Sequence, residues 1–592
     1  MPMSKRPWEK YAPFIGPKLS DRQWPSKRIE KAPRWLTTDL RDGNQSLACP
    51  MTIEQKMTYF EMLVKLGYKE IEISIPTASS TEHGFTRKLI ETPGAIPDDV
   101  WVQVLCPCRR DLISSTVQSL RGAKKAIISL YFASSPVWLA TVFRMTEQQV
   151  CNKVTEAVSY VKSITKDDPE TRGTTWNLMF SPEAFSTSSL DFCLQLCEAV
   201  KAIWEPSIEV PMILNLPATV ESSTPNVYAD QVEIFSRSIS DREKVCVSLH
   251  VHNDRGCAVA AAELGLLAGA ERVEGCLFGN GERSGNVDLV TLALNLYTQG
   301  IDPGVDFSDI PSLRAVVEEL TQIQVHPRAP YTGELIFAAY SGAHQDAIRK
   351  GLLQYELDPS KSQNLWKVPY LPLDPEDLGS SRSEIIRLNS QSGKGGVAWT
   401  LAYELHVKLP DMLQYQFSKV IKTTSEAAGG TLSSANVAEL FLKHYSISQQ
   451  DPRIVVAELK HIGNFVCHDQ VLVDDTNYPS KFTETMIDIR IHALLCIGGK
   501  QQRLQGEGRN VSSALVGALK GASLGKFTFR ISECALDPPQ GGLTTFIVVE
   551  CQSADHDRSG WGVRSGTLGT TAELSAALSS LLDIYEAEQG ID

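Results

Sequence analysis

The stretch VCVSLHVHND, residues 245–254, joins an apolar run to two closely spaced histidines. Side chains alternate between the two faces of a β-strand, so His250 and His252 share one face if this run is a strand. Two imidazoles on one face can hold a divalent metal ion. A pair of structural histidines satisfied by hydrogen bonds explains the same spacing, and this stretch alone leaves both interpretations open.

Seven further short apolar runs alternate with helical patterns along the first half of the chain. With the first run they predict strands at residues 35–39, 70–75, 101–105, 126–131, 176–180, 212–216, 245–250 and 272–277. Eight strands alternating with helices are typical of a (β/α)8 or TIM barrel, an α/β fold. A doubly wound open sheet is the rival, but no Gly-x-Gly-x-x-Gly turn follows the first run. The pattern predicts an N-terminal arm at residues 1–30 and a catalytic barrel at residues 31–305.

The rhythm of the sequence changes after residue 305. Helical patterns at 310–323 and 340–353, a Pro-rich connector at 368–377 and a glycine-rich loop at 389–396 predict helical linker subdomains over residues 306–425. Residues 426–592 form a C-terminal region. From about residue 479, strands at 485–491, 528–534 and 543–550 and a terminal helix at 572–588 predict a small α+β domain.

Composition excludes several classes of function. The 592-residue chain has a formal net charge of −13, which opposes binding to a nucleic-acid backbone. No apolar run approaches the ~18–20 residues that span a bilayer. The 13 cysteines are scattered and no apolar signal segment precedes them, which favours a reduced, intracellular setting. Residues 1–21 lack the pattern of a transit peptide, so we expect a cytoplasmic protein that acts without membrane or nucleic acid.

Three further polar clusters follow predicted strands and therefore belong to the same rim of the barrel. Asp42 follows the first strand and can complete a metal site of two imidazoles and one carboxylate, while Arg41 offers a cation to an oxyanion. Glu183 follows the fifth strand and can take part in proton transfer. Asn286, in a glycine-rich loop after the eighth, can add an oxygen ligand. Each cluster alone also fits an ordinary turn, but together they indicate a metal enzyme that acts on a carbonyl group.

Ordered motifs along the chain resemble those of the 2-isopropylmalate synthase family in its fungal form. They lie at residues 39–45, 181–183, 216–221, 250–257, 275–288, 344–348, 368–375 and 389–396. The resemblance covers about residues 11–397 and continues more faintly to the C-terminus. It is specific for the superfamily that also holds homocitrate and citramalate synthases. It implies a (β/α)8 catalytic domain, a helical linker and a C-terminal regulatory domain that binds leucine as a feedback inhibitor.

The resemblance also implies a role for each candidate residue. The metal ligands would be Asp42, His250 and His252 with Asn286 close by, around zinc, manganese or magnesium. Substrate contacts would come from Arg41, Ser129, Ser181, Thr219 and Glu183. In a homodimer, His344 and Tyr370 would reach across to complete the active site of the other chain.

The reaction implied is a condensation of acetyl-CoA with a 2-oxo acid. His344, assisted by Glu183, would remove a methyl proton from acetyl-CoA, and the enolate would attack the keto carbon while Arg41 stabilises the alkoxide. Hydrolysis of the thioester then makes the condensation one-way. An acyl-CoA lyase and a catalytically inactive sensor are the alternatives from other classes. The long linker opposes the lyase, and the retained catalytic set opposes the sensor.

Three departures from the family pattern fall around the expected side-chain pocket. Ile75 stands where the family has Phe, Ser129 where it has His, and Met179 where it has Glu. These changes predict a roomier, more apolar cavity. We therefore expect a paralogue in specialised metabolism that takes a bulkier 2-oxo acid, for example an aromatic one such as 4-hydroxyphenylpyruvate. An authentic leucine-pathway enzyme that uses 2-oxoisovalerate is the alternative.

A further departure concerns regulation. The C-terminal domain of the family has Trp-Gly-Val-Gly where this chain has Trp561-Gly-Val-Arg564. Glycine permits close approach of a ligand to the backbone, which the side chain of Arg564 would obstruct. The sequence therefore predicts that leucine inhibition is lost.

Overall fold

The computed structural model describes residues 14–357, 365–385, 387–388, 392–405, 409–445, 454–461, 489–497, 500–524, 526–536, 544–554, 559–565 and 571–589. Contacts divide the chain into two compact units. The first comprises Met1–Ile336 with Pro375–Ser380, and the second comprises Phe337–Asp374 with Ser381–Asp592. This division is coarser than the four regions expected from the sequence, whose boundaries stay predictions.

The first unit contains a closed barrel of eight parallel strands in sequential order, as predicted. The strands are β1 (Arg34–Thr37), β2 (Glu70–Ser74), β3 (Trp101–Pro107), β4 (Lys125–Ala133), β5 (Thr175–Glu183), β6 (Met212–Ala218), β7 (Val245–Val251) and β8 (Arg272–Gly275). Strands β1 and β8 pair and close the ring. The first and seventh strands are therefore separated by β8 alone, which is the neighbourhood that the metal site requires.

Helices between the strands form the outer layer. They are α1 (Ile53–Lys65), α2 (Ser80–Glu91), α3 (Arg110–Ser119), α4 (Glu147–Ser163), α5 (Leu190–Trp204), α6 (Pro225–Ser238), α7 (Ala258–Leu267), α8 (Leu289–Tyr297) and α9 (Ile310–Thr321). Capping boxes begin α1 at Thr52 and α4 at Thr146, where each threonine accepts from the backbone N–H three residues on. The strands lie inside this helical layer, and every residue of β2, β6 and β7 is buried.

The eighth strand is shorter than predicted, since it ends at Gly275 rather than at residue 277. A Cβ atom at Gly275 would lie 2.4 Å from the Val287 carbonyl oxygen, so only glycine fits where the chain after the barrel passes back over β8. A short 3-10 turn, Leu277–Gly279, follows instead. This turn leads into the loop that carries Asn286.

The second unit is helical first and mixed α+β afterwards. Its helices and strands are α10 (Gly342–Leu357), α11 (Lys394–Leu405), α12 (Asp411–Ala428), α13 (Ser434–His444), β9 (Ile454–His461), β10 (Ile489–Ile497), β11 (Lys500–Gly508), α14 (Val511–Gly521), β12 (Phe527–Leu536), β13 (Thr544–Ser553), β14 (Ser559–Ser565) and α15 (Thr571–Gln589). Two antiparallel three-stranded sheets have the orders β11-β10-β9 and β12-β13-β14.

Several boundaries in this unit differ from the predictions. The glycine-rich loop prediction is wrong from Lys394, where α11 begins, and residues 389–391 lie outside the described residues. The predicted start near residue 479 also lies outside them, as does the first half of the strand predicted at 485–491. Strands β9, β11 and β14 and helix α14 were not predicted. Strand β11 reads KQQRLQGEG and is buried mainly at Leu504, so it lacks the apolar run that marks a strand. Throughout the described part of the chain, every helix is too short or too polar to cross a membrane.

Candidate active site

A π-helical turn at the end of β1, Asp39–Gly43, presents the first two site residues. The backbone N–H groups of Asp42 and Gly43 both donate to the Thr38 carbonyl, at 2.8 and 3.2 Å. Beneath the turn, the Asp39 carboxylate accepts from Tyr59 Oη at 2.8 Å and from the Leu277 N–H at 3.1 Å. Burial raises the pKa of Asp39 to about 6. These contacts fix the turn so that Arg41 and Asp42 face the barrel mouth.

His250 and His252 lie side by side at the end of β7, with ring centroids 5.3 Å apart. His250 Nε2 lies 3.2 Å from Asp42 Oδ2. One ligand atom each from Asp42, His250 and His252 falls within 4.8 Å of the others, and all three residues are buried. The structure thus brings together the three predicted ligands from two strands that are distant in the sequence.

The surroundings of the three residues fit a divalent cation. Asn286 donates from Nδ2 to Asp42 Oδ2 at 2.9 Å. Two buried polar atoms next to the group, His252 Nδ1 and Asn286 Oδ1, find no hydrogen-bond partner within the described ranges. Buried polar atoms are almost always satisfied, so unpaired nitrogen and oxygen atoms beside a carboxylate are the donor set expected of an open metal site.

The protonation states of the group also suit ligation. Although burial raises the pKa of Asp42, Arg41 and His250 outweigh it and hold this pKa well below its ordinary value. Burial, and next the charge of His250, lower the pKa of His252 to about 4. Burial also lowers the pKa of His250, but hydrogen bonds to Asp42 and Glu274 raise it to about 9. Asp42 is thus ionised and His252 neutral, while a cation would take the place of the His250 proton.

A closed ring of hydrogen bonds lies beneath the mouth and ties the group to the barrel. Arg41 donates to Glu72 at 2.5 Å and to Asp42 at 2.7 Å. Gln103 donates to Glu72 at 3.0 Å and accepts from Arg272 at 2.8 Å. Arg272 also donates to Glu274, whose other oxygen lies 3.2 Å from His250 Nδ1. The path returns through His250 to Asp42, so the residues of the ring hold one another in place.

Carboxylates outnumber guanidinium groups in this ring. Asp42, Glu72 and Glu274 face Arg41 and Arg272, and all five are buried or nearly so. An excess of negative charge in a low-dielectric interior is costly unless a cation balances it. The protonated His250 supplies this balance between Asp42 and Glu274, and a divalent ion that displaced its proton would supply the balance instead.

A cavity of about 240 Å³ opens above the ring. It is lined by Arg41, Asp42, Gln45, Ile75, Leu105, Tyr131, Met179, Ser181, Glu183, Asn215, Pro217, Thr219, His250, His252, Glu274, Glu282 and Arg283. The predicted residues Ser181, Glu183 and Thr219 are therefore in the same cavity as the metal group. Burial raises the pKa of Glu183, against the opposing charges of Arg41 and His250.

Loops at the ends of β5 to β8 are joined around the cavity. Thr219 Oγ1 accepts from the Ala184 N–H at 2.9 Å. Arg283 donates to Asp254 at 2.7 Å and to the Thr219 carbonyl at 2.7 Å. These bonds fix the backbone next to Glu183 and next to the metal group. The loops around the mouth of the cavity therefore hold one another in place.

Ser129 differs from the other predicted substrate contacts. It lies on β4 with no exposed surface and does not line the cavity. Its neighbours in register, Leu105 on β3 and Met179 on β5, both line it. Ser129 therefore lies between Leu105 and Met179 in the barrel wall, without surface in the cavity. Of the three departures from the family pattern, Ile75 and Met179 line this cavity and Ser129 lies next to Met179.

His344 and Tyr370 lie in the second unit, whereas the other predicted site residues lie in the first. Their rings stack with centroids 4.2 Å apart. The side chain of Tyr370 is 62% exposed. The structure thus pairs the two residues that were expected to act together, and their action on another chain stays a prediction.

The sequence interpretation missed the supporting residues Glu72, Gln103, Arg272 and Glu274. Each is a charged or amide side chain at an inward position of a strand, and the residues directly before and after Glu72, Gln103 and Glu274 are apolar or glycine. Charged side chains are seldom fully buried unless they are paired. Their presence inside predicted strands was therefore the signal that could have revealed the ring.

Comparisons with known proteins agree with the geometry. The family described as HMGL-like matches residues 32–317, which include the whole barrel. The family described as alpha-isopropylmalate synthase, post-catalytic domain-like, matches residues 334–402.

Curated relatives are similar over most of their own length. The chain is 47% identical to 2-isopropylmalate synthase of Schizosaccharomyces pombe, covering 98% of this chain and 96% of that protein. It is 52% identical to 2-isopropylmalate synthase of Saccharomyces cerevisiae, covering 76% and 72%. It is also 52% identical to isopropyl malate synthase htyA of Aspergillus rugulosus, covering 76% of each chain.

Proposed function

The chain belongs to the 2-isopropylmalate synthase family, and from this premise we propose that it condenses acetyl-CoA with a 2-oxo acid bulkier than 2-oxoisovalerate. The family makes it an acyltransferase that converts the acetyl group into an alkyl group on transfer. The product would be a 2-substituted malate, with coenzyme A released. The cavity around Asp42, His250 and His252 is the observation that supports this activity.

Asp42, His250 and His252 would hold the divalent ion, with Asn286 Oδ1 near enough to the group to contribute. Mixed carboxylate and imidazole ligation suits zinc, manganese or magnesium. When bound, the ion would polarise the keto group and orient the 2-oxo acid. Glu274 keeps Nε2 of His250 available by engaging Nδ1 of the same ring.

The protein side chains account for the other demands of the reaction. Arg41 lines the cavity, and its guanidinium is held by Glu72 and Asp42, so it is oriented to stabilise the negative oxygen of the alkoxide. Glu183, partly withdrawn from water, assists His344 in taking a methyl proton from acetyl-CoA. The enolate carbon bonds to the keto carbon, and water then cleaves the thioester. Ser181 and Thr219 contact the substrate from β5 and β6.

The choice of a bulkier substrate rests on the end of the cavity that Met179, Leu105 and Ile75 line. Ser129 lies next to Met179 in register. Serine in place of histidine frees volume, and an unbranched methionine adapts to the shape of a ligand. An aromatic 2-oxo acid such as 4-hydroxyphenylpyruvate suits this end, in specialised amino-acid or secondary metabolism.

Release of coenzyme A from acetyl-CoA tests both parts of the proposal. The purified protein is assayed with 2-oxoisovalerate, phenylpyruvate and 4-hydroxyphenylpyruvate, with and without a chelator. We expect metal-dependent release and a higher kcat/KM for the arylpyruvates. A preference for 2-oxoisovalerate would identify an enzyme of leucine biosynthesis instead. Coenzyme A release that does not depend on the 2-oxo acid, or no release at all, would contradict the condensation itself.

We further propose a cytoplasmic homodimer in which His344 and Tyr370 serve the active site of the other chain. The stacked pair with an exposed tyrosine ring supports a role at a contact surface. Mixing the inactive variants Asp42→Asn and His344→Ala should restore activity, because mixed dimers contain one intact site. Activity that stays absent after subunit exchange would rule out a shared site.

A further inference from the structure

Asn215 on β6 is a buried amide that lines the cavity and is only half satisfied. It is 3% exposed, and its Nδ2 donates to Ser181 Oγ at 3.0 Å. Its Oδ1 has no hydrogen-bond partner among the residues that the structure describes. A buried amide oxygen without a partner costs free energy, so an unpaired one in a substrate cavity indicates a partner that arrives with the substrate.

Ser129 is a second unsatisfied group, and it lies next to Met179 of the cavity wall. It is fully buried, and over the described parts of the chain its Oγ contacts neither a donor nor an acceptor. Its side chain points inward with that of Tyr131, two residues further along β4, which lines the cavity. Met179, the register neighbour of Ser129 on β5, lines the cavity and accepts from Arg272 through Sδ at 3.4 Å, and its three rotatable bonds allow other rotamers.

One chemical group satisfies both positions. An amide oxygen needs a donor, whereas a serine hydroxyl can donate or accept, and a hydroxyl on the ligand can do both. The conclusion does not depend on the orientation of the Asn215 amide. If Nδ2 and Oδ1 exchange places, Ser181 donates to the oxygen and the ligand hydroxyl accepts from the nitrogen.

We infer that Asn215 and Ser129 form a polar end to the side-chain pocket, and that they recognise a hydroxyl at the far end of the substrate's side chain. This inference rests on the proposed condensation. It adds to it the residues that distinguish a hydroxylated 2-oxo acid from an apolar acid of the same size.

The test compares phenylpyruvate with 4-hydroxyphenylpyruvate, which differ only by the terminal hydroxyl. For each acid, kcat/KM is measured by coenzyme A release with wild type, Ser129→Ala and Asn215→Leu. The matched control is Ser74→Ala, a buried serine on β2 whose hydroxyl bonds to Thr86 of α2 instead. We expect wild type to prefer the hydroxylated acid by about tenfold or more, because polar groups built for a hydroxyl are left unpaired by the analogue.

In Ser129→Ala and Asn215→Leu the preference should fall by severalfold, while Ser74→Ala keeps the wild-type ratio. Equal kcat/KM for the two acids in wild type would overturn this inference and leave the proposed function standing. A preference that survives both substitutions would overturn the assignment to these residues. Turnover of 2-oxoisovalerate without either arylpyruvate would overturn the proposed function, and this inference with it.

Discussion

His250 lies between two carboxylates, and this position decides which of its nitrogens is available. Nδ1 lies 3.2 Å from Glu274 Oε2, and Nε2 lies 3.2 Å from Asp42 Oδ2. A carboxylate that accepts from Nδ1–H fixes the tautomer whose Nε2 lone pair binds a metal ion. Glu274 is itself held by Ser248 Oγ at 2.8 Å and by Arg272. Strand β8 thus sets the orientation of the predicted metal ligand His250 through Glu274.

Glu274→Gln should weaken metal binding while keeping the shape of the side chain. The amide can present its NH2 group to Nδ1 and then favours the wrong tautomer, so we expect about a 10–100-fold loss of metal affinity or activity. Competition with a fluorescent chelator measures the affinity, and coenzyme A release measures the activity. Glu271→Gln is the matched control, because Glu271 is half exposed and pairs with Arg242 away from the cavity. Wild-type metal affinity in Glu274→Gln would refute the positioning role.

The candidate metal ligands were predictable from the sequence, but the hydrogen-bonded residues that hold them were not. The alternation of His250 and His252 on one strand and the position of Asp42 after another gave a geometric reason for a shared site. The ring through Glu72, Gln103 and Arg272 depends on which inward side chains of five strands meet, and strand spacing alone does not determine this. The position of Ser129 beside Met179 likewise follows from strand register rather than from the sequence pattern.

At the scale of elements, the loop after β8 is the segment most constrained by backbone geometry. Gly281 and Gly285 both have positive φ, at 152° and 91°, and both flank the path to Asn286. A Cβ atom at Gly285 would lie 1.9 Å from the Gly279 carbonyl oxygen. The loop therefore folds back on itself tightly enough to bring Asn286 to Asp42.

Gly285→Ala should displace this loop. The positive φ alone costs a non-glycine residue of order 1–3 kcal/mol, and the contact with Gly279 adds to it. Asn286 would then leave Asp42, so we expect weaker metal binding together with a lower melting temperature. Gly173→Ala is the control, because Gly173 precedes β5 at the opposite end of the barrel and a Cβ there meets nothing within 4 Å. A Gly285→Ala protein with wild-type metal affinity would show that the loop does not position Asn286.

The barrel was the most predictable part of the fold because its strands are short, mainly apolar runs that alternate with helical patterns, and local patterns suffice for them. The predicted end of β8 is two residues too late. The strand ends at Gly275, because Val287 from a later segment packs against this glycine. In the second unit, the sequence did not predict β11 because most of its residues are polar and Leu504 is its main buried residue. Tertiary contacts, rather than local preference, decide both cases.

At the scale of the whole molecule, the prediction that leucine inhibition is lost depends on Arg564, which lies on β14 of the second unit. Its side chain is 7% exposed. The guanidinium donates to the Tyr445 carbonyl at 2.7 Å, to Ser579 Oγ at 2.6 Å and to Ser575 Oγ at 3.2 Å. It thereby joins strand β14 to helix α15 and to the end of α13. A side chain in this position fills the space that a glycine leaves open, so we expect the domain to keep its fold and a ligand to be unable to approach the backbone here.

Leucine should accordingly fail to regulate this protein, and Arg564 should be structural. We expect isothermal titration with leucine to give no heat of binding, and the rate of coenzyme A release to be unchanged by leucine. Arg564→Gly should reopen the approach to the backbone but should lower stability by about 1–3 kcal/mol, because it leaves buried acceptors unpaired. Arg530→Gly, on β12 of the same sheet with a side chain that is 78% exposed, should lose only the roughly 0.5–1 kcal/mol that glycine costs inside a strand. Micromolar leucine binding to the wild-type protein would contradict the prediction, since it would mean that the buried guanidinium and the ligand occupy the domain together.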